Sequence, residues 1–207
     1  MSPAQSHAKA GVGNGSWAKG STVRSTIEYL ETRFGAETVT RILDTLPAGV
    51  RRALHDVGPT EEVAYPRLVA LWTASDAAIA ATVPGWAYES GAYSIDSVGV
   101  QLYGGILRKA TPQAFLTQSV SLFRLYYHPG DMEVVEDEQQ RAVLRLVGFE
   151  PVTSLFCARQ TGGLRRAIEI AGGGAARTRH VRCSIEGDAF CEWELHWQLD
   201  TAKSTTL

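Results

Sequence analysis

Residues 176–199 read ARTRHVRCSIEGDAFCEWELHWQL, and this stretch decides the fold that the sequence predicts. From Cys191 to Leu199, every second side chain is a cysteine, tryptophan or leucine. Alternation with a period of two is typical of a strand with one buried face. The segment 186–188 supplies a turn, because glycine adopts positive φ without steric cost and aspartate can bond its own backbone. The stretch therefore predicts a β-hairpin of residues 176–185 and 189–199.

The cysteines of the chain all lie in its C-terminal part. With the turn at the tip of the hairpin, we expect Cys183 directly across from Cys191, with Cβ atoms about 5 Å apart. The segment that begins at Thr153 predicts a helix with Thr153 or its neighbour as the cap. Packed on the hairpin, this helix would bring Cys157 over the pair.

His180 is the nearest candidate for a fourth ligand of a tetrahedral metal site. Thiolate and imidazole are ligands that zinc takes in closed, structural sites. Strict alternation puts His180 and Cys183 on opposite faces, so either a bulge turns the histidine inward or it is a surface residue. The spacing alone leaves a second interpretation open, in which the cysteines are small buried residues of a reduced core.

The hairpin reads Cys183-Ser-Ile-Glu-Gly187-Asp-Ala-Phe-Cys191, followed by Glu-Trp193-Glu-Leu-His-Trp197. This pattern resembles the end of the 4-vinyl-reductase domain, a ligand-binding module of phenol- and aromatic-responsive transcriptional activators. The resemblance implies an antiparallel sheet covered on one side by helices, commonly dimerised through the N-terminal helices. It also implies zinc bound by Cys157, Cys183 and Cys191. The family's acidic ligand has no counterpart here, and His180 is the nearest substitute.

The whole chain is also similar to a family of uncharacterised myxobacterial paralogues of about this length. The similarity rests on residues 19–24, on the segment 125–127 and on the cysteine hairpin that ends in Trp197. It covers about residues 19–199 and implies no known activity.

The length of 207 residues predicts one domain with a sizeable core. We expect a disordered lead-in at 1–18, a single ligand-binding α+β domain at 19–199 and a tail at 200–207. A net charge of −2 favours neither nucleic acid nor a membrane surface as a partner. No apolar run is long enough for a membrane span. An odd number of cysteines indicates a reducing, cytoplasmic location.

The order of predicted elements gives the fold class. Helical patterns are followed by a helix that begins at Thr111-Pro112, then by a second hairpin and by the helix and hairpin already described. The earlier helical patterns cover about 22–34, 36–46, 47–57, 66–83 and 86–107, and the second hairpin covers 132–135 and 141–149. Helices followed by strands indicate an α+β fold, here N-terminal helices packed on an antiparallel sheet of two C-terminal hairpins with an intervening helix.

No motif of a nucleophile, phosphate loop or dinucleotide site is present, so the sequence favours a protein that is not an enzyme. Aromatic residues between the helices and the sheet predict an apolar pocket, and a filled core is the alternative. The candidate pocket residues are Trp72, Trp86, Tyr103, Phe123, Tyr126, Tyr127, His128, Phe156 and Trp193.

Together these patterns predict a non-catalytic sensor or carrier with a structural zinc that binds a hydrophobic or aromatic small molecule. We expect a homodimer. We also expect an unidentified protein partner that responds to the change caused by ligand binding. Two alternatives stay open: a dimeric protein-interaction adaptor with a filled core, and an accessory factor in tetrapyrrole metabolism, which rests on analogy.

Overall fold

The computed structural model describes residues 15–99, 101 and 111–199. The helices are α1 (Gly20–Phe34), α2 (Ala36–Asp44), α3 (Ala48–Asp56), α4 (Tyr65–Ile79), α5 (Trp86–Ser94), α6 (Pro112–Tyr126) and α7 (Ser154–Ile170). The strands are β1 (Trp17–Lys19), β2 (Glu62–Ala64), β3 (Tyr127–His128), β4 (Asp131–Glu138), β5 (Arg141–Val147), β6 (Gly173–Arg182) and β7 (Cys191–Leu199). A π-helical turn (Ile95–Gly99) follows α5, and a 3₁₀ turn (Ser184–Glu186) precedes β7. The predicted α+β class is confirmed.

Two helices begin at the residues that the capping pattern predicts. Thr111 Oγ1 accepts a hydrogen bond from Ala114 N at 3.2 Å, which caps α6. Thr153 Oγ1 accepts one from Leu155 N at 3.3 Å, which caps α7. A threonine in this position satisfies one of the free amides in the first helical turn. Within the described part of the chain, no helix is both long and apolar enough to cross a membrane.

A four-stranded antiparallel sheet has the order β4-β5-β7-β6. The alternation along β7 places its apolar residues on the inner face, against α7. Those residues are Cys191, Trp193, Leu195 and Trp197, each at most 3 % exposed. The outer face of the same sheet carries ion pairs between arginines and glutamates.

A bulge interrupts the pairing of β6 with β7. His180 pairs with Trp193 and Arg182 pairs with Glu192, so Val181 is an extra residue on β6. Val181 lies two residues before Cys183, so regular alternation would put both on the inner face, but the bulge turns Val181 outward, where it is 39 % exposed.

A second sheet, of order β2-β1-β3, was not predicted. Its central strand β1 pairs with both neighbours in antiparallel register, and Ala18 is fully buried there. Part of the predicted lead-in, residues 1–14, lies outside the described residues, as do the tail 200–207 and residues 102–107 of the predicted helix 86–107.

Helices α5 and α7 cross at very short distance. A Cβ added at Gly91 would collide with the carbonyl oxygen of Arg159, and one added at Gly162 would collide with that of Tyr88. Glycine therefore lets the two backbones touch, and this crossing fixes where α7 presents Arg159 and Cys157.

Candidate functional site

Three thiols and one imidazole converge where α7 crosses the C-terminal hairpin. Cys157 comes from α7, His180 from β6, Cys183 from the residue after β6, and Cys191 from the start of β7. Their sulfur and nitrogen atoms all lie within 4.8 Å of one another. The cysteines are free thiols and are 3, 6 and 1 % exposed in chain order.

The bulge at Val181 explains how two residues three apart share one face. Because Val181 is extra, His180 and Cys183 have the effective spacing of two residues in a regular strand. The imidazole stacks on the indole of Trp193 at 4.6 Å between ring centroids. Its Nε2 atom is buried and has no hydrogen-bond partner among the described residues.

The thiols are close to one another but form no disulfide. Cys157 Sγ and Cys191 Sγ are 3.8 Å apart, and Ser184 contacts Cys191 Sγ with its backbone N at 3.4 Å and its Oγ at 3.3 Å. Interactions with Cys157, and to a smaller degree with the His180 imidazole and Ser184, lower the pKa of Cys191 well below its usual range, against the effect of burial. The bond to Cys191, together with burial, raises the pKa of Cys157. The arrangement therefore favours a thiolate at Cys191.

A separate cavity of about 110 Å³ lies between the helices and the sheet. Residues of α1, α5, α6, α7, β4 and β5 line it. The apolar lining includes Phe115, Leu122, Phe123, Met132, Leu144 and Leu164, and the polar lining includes Ser21, Thr22, Ser25 and Arg159.

Arg159 is the charged group of this cavity. It is 4 % exposed, donates a hydrogen bond to Ser90 Oγ, and places its guanidinium 5.0 Å from the ring centroid of Trp72. No carboxylate of residues 15–99, 101 or 111–199 pairs with it. Burial lowers the pKa of Arg159 to about 10. Buried charges are ordinarily paired, so this cation is an exception.

The structure distributes the predicted pocket residues over several places. Phe123, Tyr126 and Tyr127 line the cavity. His128 is exposed and stacks on Trp17 at 5.4 Å. Tyr103 lies outside the described residues. The remaining predicted residues pack in the core at 0 or 1 % exposure and do not line the cavity: Trp72, Trp86, Phe156 and Trp193.

Sequence reasoning missed Arg159. A signal was available, since Arg159, Gly163 and Ala167 recur at intervals of four and therefore share one helix face. An arginine on a helix face of small residues indicates a cavity or a close backbone at that face. In the structure, all three residues line the cavity.

No model of a protein family and no curated protein matches the sequence. Solved structures do match the fold. An H-NOX protein from S. oneidensis in the Fe(II)NO ligation state is 13 % identical, with a TM-score of 0.68 over 87 % of this chain and 99 % of that chain. The Fe(II) unliganded H-NOX protein from K. algicida is 13 % identical, with a TM-score of 0.65 over 88 % of this chain and 98 % of that chain.

These comparisons overturn the resemblance to the 4-vinyl-reductase domain, and no family model supports the similarity to the myxobacterial paralogues. Zinc as the cofactor, and the zinc-containing sensor built on it, drew their weight from that resemblance. Both are wrong, since the structures with this fold are of H-NOX proteins that carry iron and heme. The adaptor and the tetrapyrrole accessory factor find no match either. At this level of identity the likeness establishes the architecture, and the chain has the fold of the H-NOX proteins.

Proposed function

We propose that this protein is a non-enzymatic small-molecule sensor that uses the H-NOX fold without heme. Its ligand is a small, largely apolar molecule with an acidic group, bound in the cavity beside α7. The observation that carries this proposal is Arg159, a buried cation in the cavity wall that has no carboxylate partner among the described residues.

The size of the cavity speaks against heme. An apolar cavity of about 150 Å³ accommodates a single benzene molecule. The cavity here measures about 110 Å³, whereas a porphyrin consists of four linked pyrrole rings. This space is smaller than the one that holds benzene, so it suits a short chain, or a single ring that extends partly through the open side of the cavity.

The donors around the cavity also do not fit heme. Heme iron takes its axial ligand from histidine, cysteine, methionine or tyrosine. No described lining residue is a histidine or cysteine, and of these four residue types the sequence from 98 to 121 contains only one, Tyr103, which lies outside the described residues. Met132, Tyr126 and Tyr127 remain in the lining, and burial raises the pKa of Tyr127, which disfavours the phenolate that binds iron.

An acidic ligand would complete the polar part of the cavity. The hydroxyl of Ser21 is buried in the lining and has no hydrogen-bond partner among the described residues. Guanidinium and hydroxyl groups both donate hydrogen bonds to a carboxylate, and the bond from a charged donor is the stronger. Phe115 and Phe123 offer apolar surface for the rest of the molecule.

The same lining supports a binding role over catalysis. The described lining residues include no histidine, cysteine, aspartate or glutamate that could act as a general base. The cavity separates the N-terminal helices from the C-terminal sheet, so that its occupant contacts both. A ligand there can favour one packing of α7 over another, which is what a sensor requires.

Thermal unfolding with benzoate as the probe tests this function. We expect benzoate to raise the Tm of the wild-type protein, and uncharged benzyl alcohol to raise it much less, because only the carboxylate pairs with Arg159. In Arg159→Met, the affinity for benzoate should fall roughly 10- to 100-fold, the range for a hydrogen bond to a charged group. Titration calorimetry gives the dissociation constants.

Arg166→Met is the matched control, because Arg166 lies on the same helix but pairs with Asp96 and Glu169 outside the cavity. It should bind benzoate as the wild type does. Among residues 15–99, 101 and 111–199, Arg159 has no carboxylate partner that its removal would leave as an uncompensated buried charge, so we expect Arg159→Met to fold, and its own thermal unfolding transition checks this. Equal affinity of wild type and Arg159→Met for benzoate, or no binding by wild type, would contradict the proposal.

A further inference from the structure

The thiol–imidazole cluster lies outside the cavity and has no part in the proposed small-molecule site. Its sulfur and nitrogen atoms come from α7, from β6 and from both ends of the hairpin turn, yet all lie within 4.8 Å of one another. The Cys157 and Cys191 sulfurs are 3.8 Å apart. Tetrahedral bonds of about 2.3 Å to a metal ion place two sulfurs about 3.8 Å apart, so this separation is the one that a shared ion requires.

We infer that Cys157, His180, Cys183 and Cys191 form a closed tetrahedral site for a thiophilic transition-metal ion. The inference rests on this geometry and on the chemistry of the donors, and it goes beyond the function proposed for the cavity. Thiolate and imidazole ligands select soft and borderline ions over calcium and magnesium, which prefer oxygen.

The unpartnered nitrogen of His180 is the second observation that indicates an ion. Its Nε2 atom is buried without a hydrogen-bond partner among the described residues, although buried polar atoms are ordinarily bonded. The stack on Trp193 fixes the plane of the imidazole, so that this nitrogen is held beside the sulfurs. A metal ion would satisfy an atom that the protein itself leaves unsatisfied.

Hydrogen bonds from neighbouring groups hold the residues of the cluster in place. Cys183 N donates a hydrogen bond to Asp188 Oδ2 at 2.7 Å, which holds the turn that follows β6. Ser184 contacts Cys191 Sγ through its backbone N and its Oγ. Such supporting bonds orient the ligands of metal sites and are part of their affinity.

The pair Cys157 and Cys191 also has a competing chemistry, which is a disulfide. A disulfide bond is about 2.05 Å long, so the two sulfurs at 3.8 Å would have to approach one another. A bond between these two would leave Cys183 and the His180 nitrogen unused. An ion uses all of the donors, and we therefore favour it.

Cobalt(II) is the probe, because its tetrahedral thiolate complexes absorb strongly in visible light and show sulfur-to-cobalt bands in the near ultraviolet. The full chain is reduced, freed of metal with a chelator, and titrated with cobalt(II) without oxygen. We expect these bands to saturate at one equivalent and the Tm to rise with bound metal. Ligation displaces thiol protons, so that proton release should accompany the titration.

Cys183→Ser and His180→Gln should each weaken cobalt(II) binding 10-fold or more and shift its spectrum. His196→Gln is the control, because His196 lies on the outer face of the same hairpin, is 46 % exposed and should leave the spectrum unchanged. Circular dichroism of each metal-free variant shows that it is folded. A folded wild-type chain without tetrahedral cobalt bands would overturn the inference, as would variants with the wild-type spectrum. A chain isolated with a Cys157–Cys191 disulfide that still fails to bind cobalt(II) after the disulfide is reduced would also overturn the inference.

Discussion

At the scale of single residues, Trp193 depends on one hydroxyl for its place in the core. The indole is fully buried, and its Nε1 donates a hydrogen bond to Thr161 Oγ1 at 2.9 Å. The same hydroxyl donates to the carbonyl oxygen of Cys157 at 2.8 Å. Thr161 therefore joins β7 to α7 beside the thiol–imidazole cluster.

We expect Thr161→Val to lower the free energy of unfolding by about 1–3 kcal/mol, the cost of a buried donor that loses its partner. Urea unfolding of metal-free protein measures the change. Thr117→Val is the matched control: Thr117 is exposed on α6 and bonds the carbonyl oxygen of Gln113 within its own helix. Its effect should stay within about 0.5 kcal/mol. Equal effects of the two substitutions would mean that the indole does not need this hydroxyl.

Glu194 makes the stability of the fold depend on pH through an ion pair on the outer face of the sheet. Arg141 Nε donates a hydrogen bond to Glu194 Oε1 at 2.9 Å, and this bond, with a smaller contribution from His196, lowers the pKa of Glu194. A carboxyl whose pKa is lower in the folded state stabilises the fold above its unfolded pKa. This contribution is lost as the pH falls through the folded value.

Glu194→Gln should therefore cost less than about 1 kcal/mol at neutral pH, as expected for a partly exposed ion pair, and nothing at strongly acid pH. Chemical unfolding at several pH values measures the difference. Glu150→Gln serves for comparison, because Glu150 is exposed and pairs with no described residue. A deficit of Glu194→Gln that persists in acid would exclude the ion pair as its cause.

At the scale of elements, the sequence reveals those whose signals are local. Thr111 and Thr153 cap α6 and α7 because an N-cap is a property of a few adjacent residues. The alternation from Cys191 to Leu199 gives β7 its inner face without reference to the rest of the chain. The approach of Cys183 and Cys191 follows from the same local pattern, whereas that of Cys157 was predicted by packing a separate helix on the hairpin, and in the structure the three lie together.

Other elements leave no local signal. Strands β1, β2 and β3 have two or three residues each, too few to show a period of two, and they pair with segments that are distant in the sequence. The bulge at Val181 was weighed as one of two possibilities for His180, because side-chain alternation does not record where an extra residue is inserted. The cavity beside Arg159 depends on how helices cross, which the sequence of any one of them does not specify.

The crossing of α5 and α7 makes adjacent glycines differ. A Cβ at Gly162 would collide with the Tyr88 carbonyl oxygen, whereas one at Gly163 would lie 3.5 Å from the Gly91 carbonyl oxygen and 3.7 Å from Ile95 Cγ1, which is ordinary contact. We expect Gly162→Ala to destabilise the fold by about 1–3 kcal/mol through overpacking. Gly163→Ala should stabilise it by up to about 1 kcal/mol through helix propensity. Thermal and urea unfolding measure both, and similar effects at the two positions would contradict this helix crossing.

At the scale of the whole molecule, the fold does not determine which ligands its sites hold. The cysteine hairpin resembled a motif of another family because nine residues around a turn repeat easily, whereas about 88 % of this chain superimposes on an H-NOX protein at 13 % identity. So low an identity preserves the architecture and not the ligands that an architecture holds. The lining of the cavity, and not the fold, is therefore the evidence from which a ligand has to be inferred.

Mixing the purified chain with hemin tests whether this fold is present without heme binding. We expect no stoichiometric complex, because the cavity is smaller than a porphyrin and its described lining lacks histidine and cysteine. Absorbance in the Soret region reports on the iron's axial ligand, and a heme-free preparation of an H-NOX protein serves as the positive control. If a complex does form, Met132→Leu, Tyr126→Phe and Tyr127→Phe test whether the candidate ligands in the described lining hold the iron. A one-to-one complex whose Soret band changes in any of these variants would show that the fold binds heme through that residue. Benzoate would then have to compete with hemin for the same space.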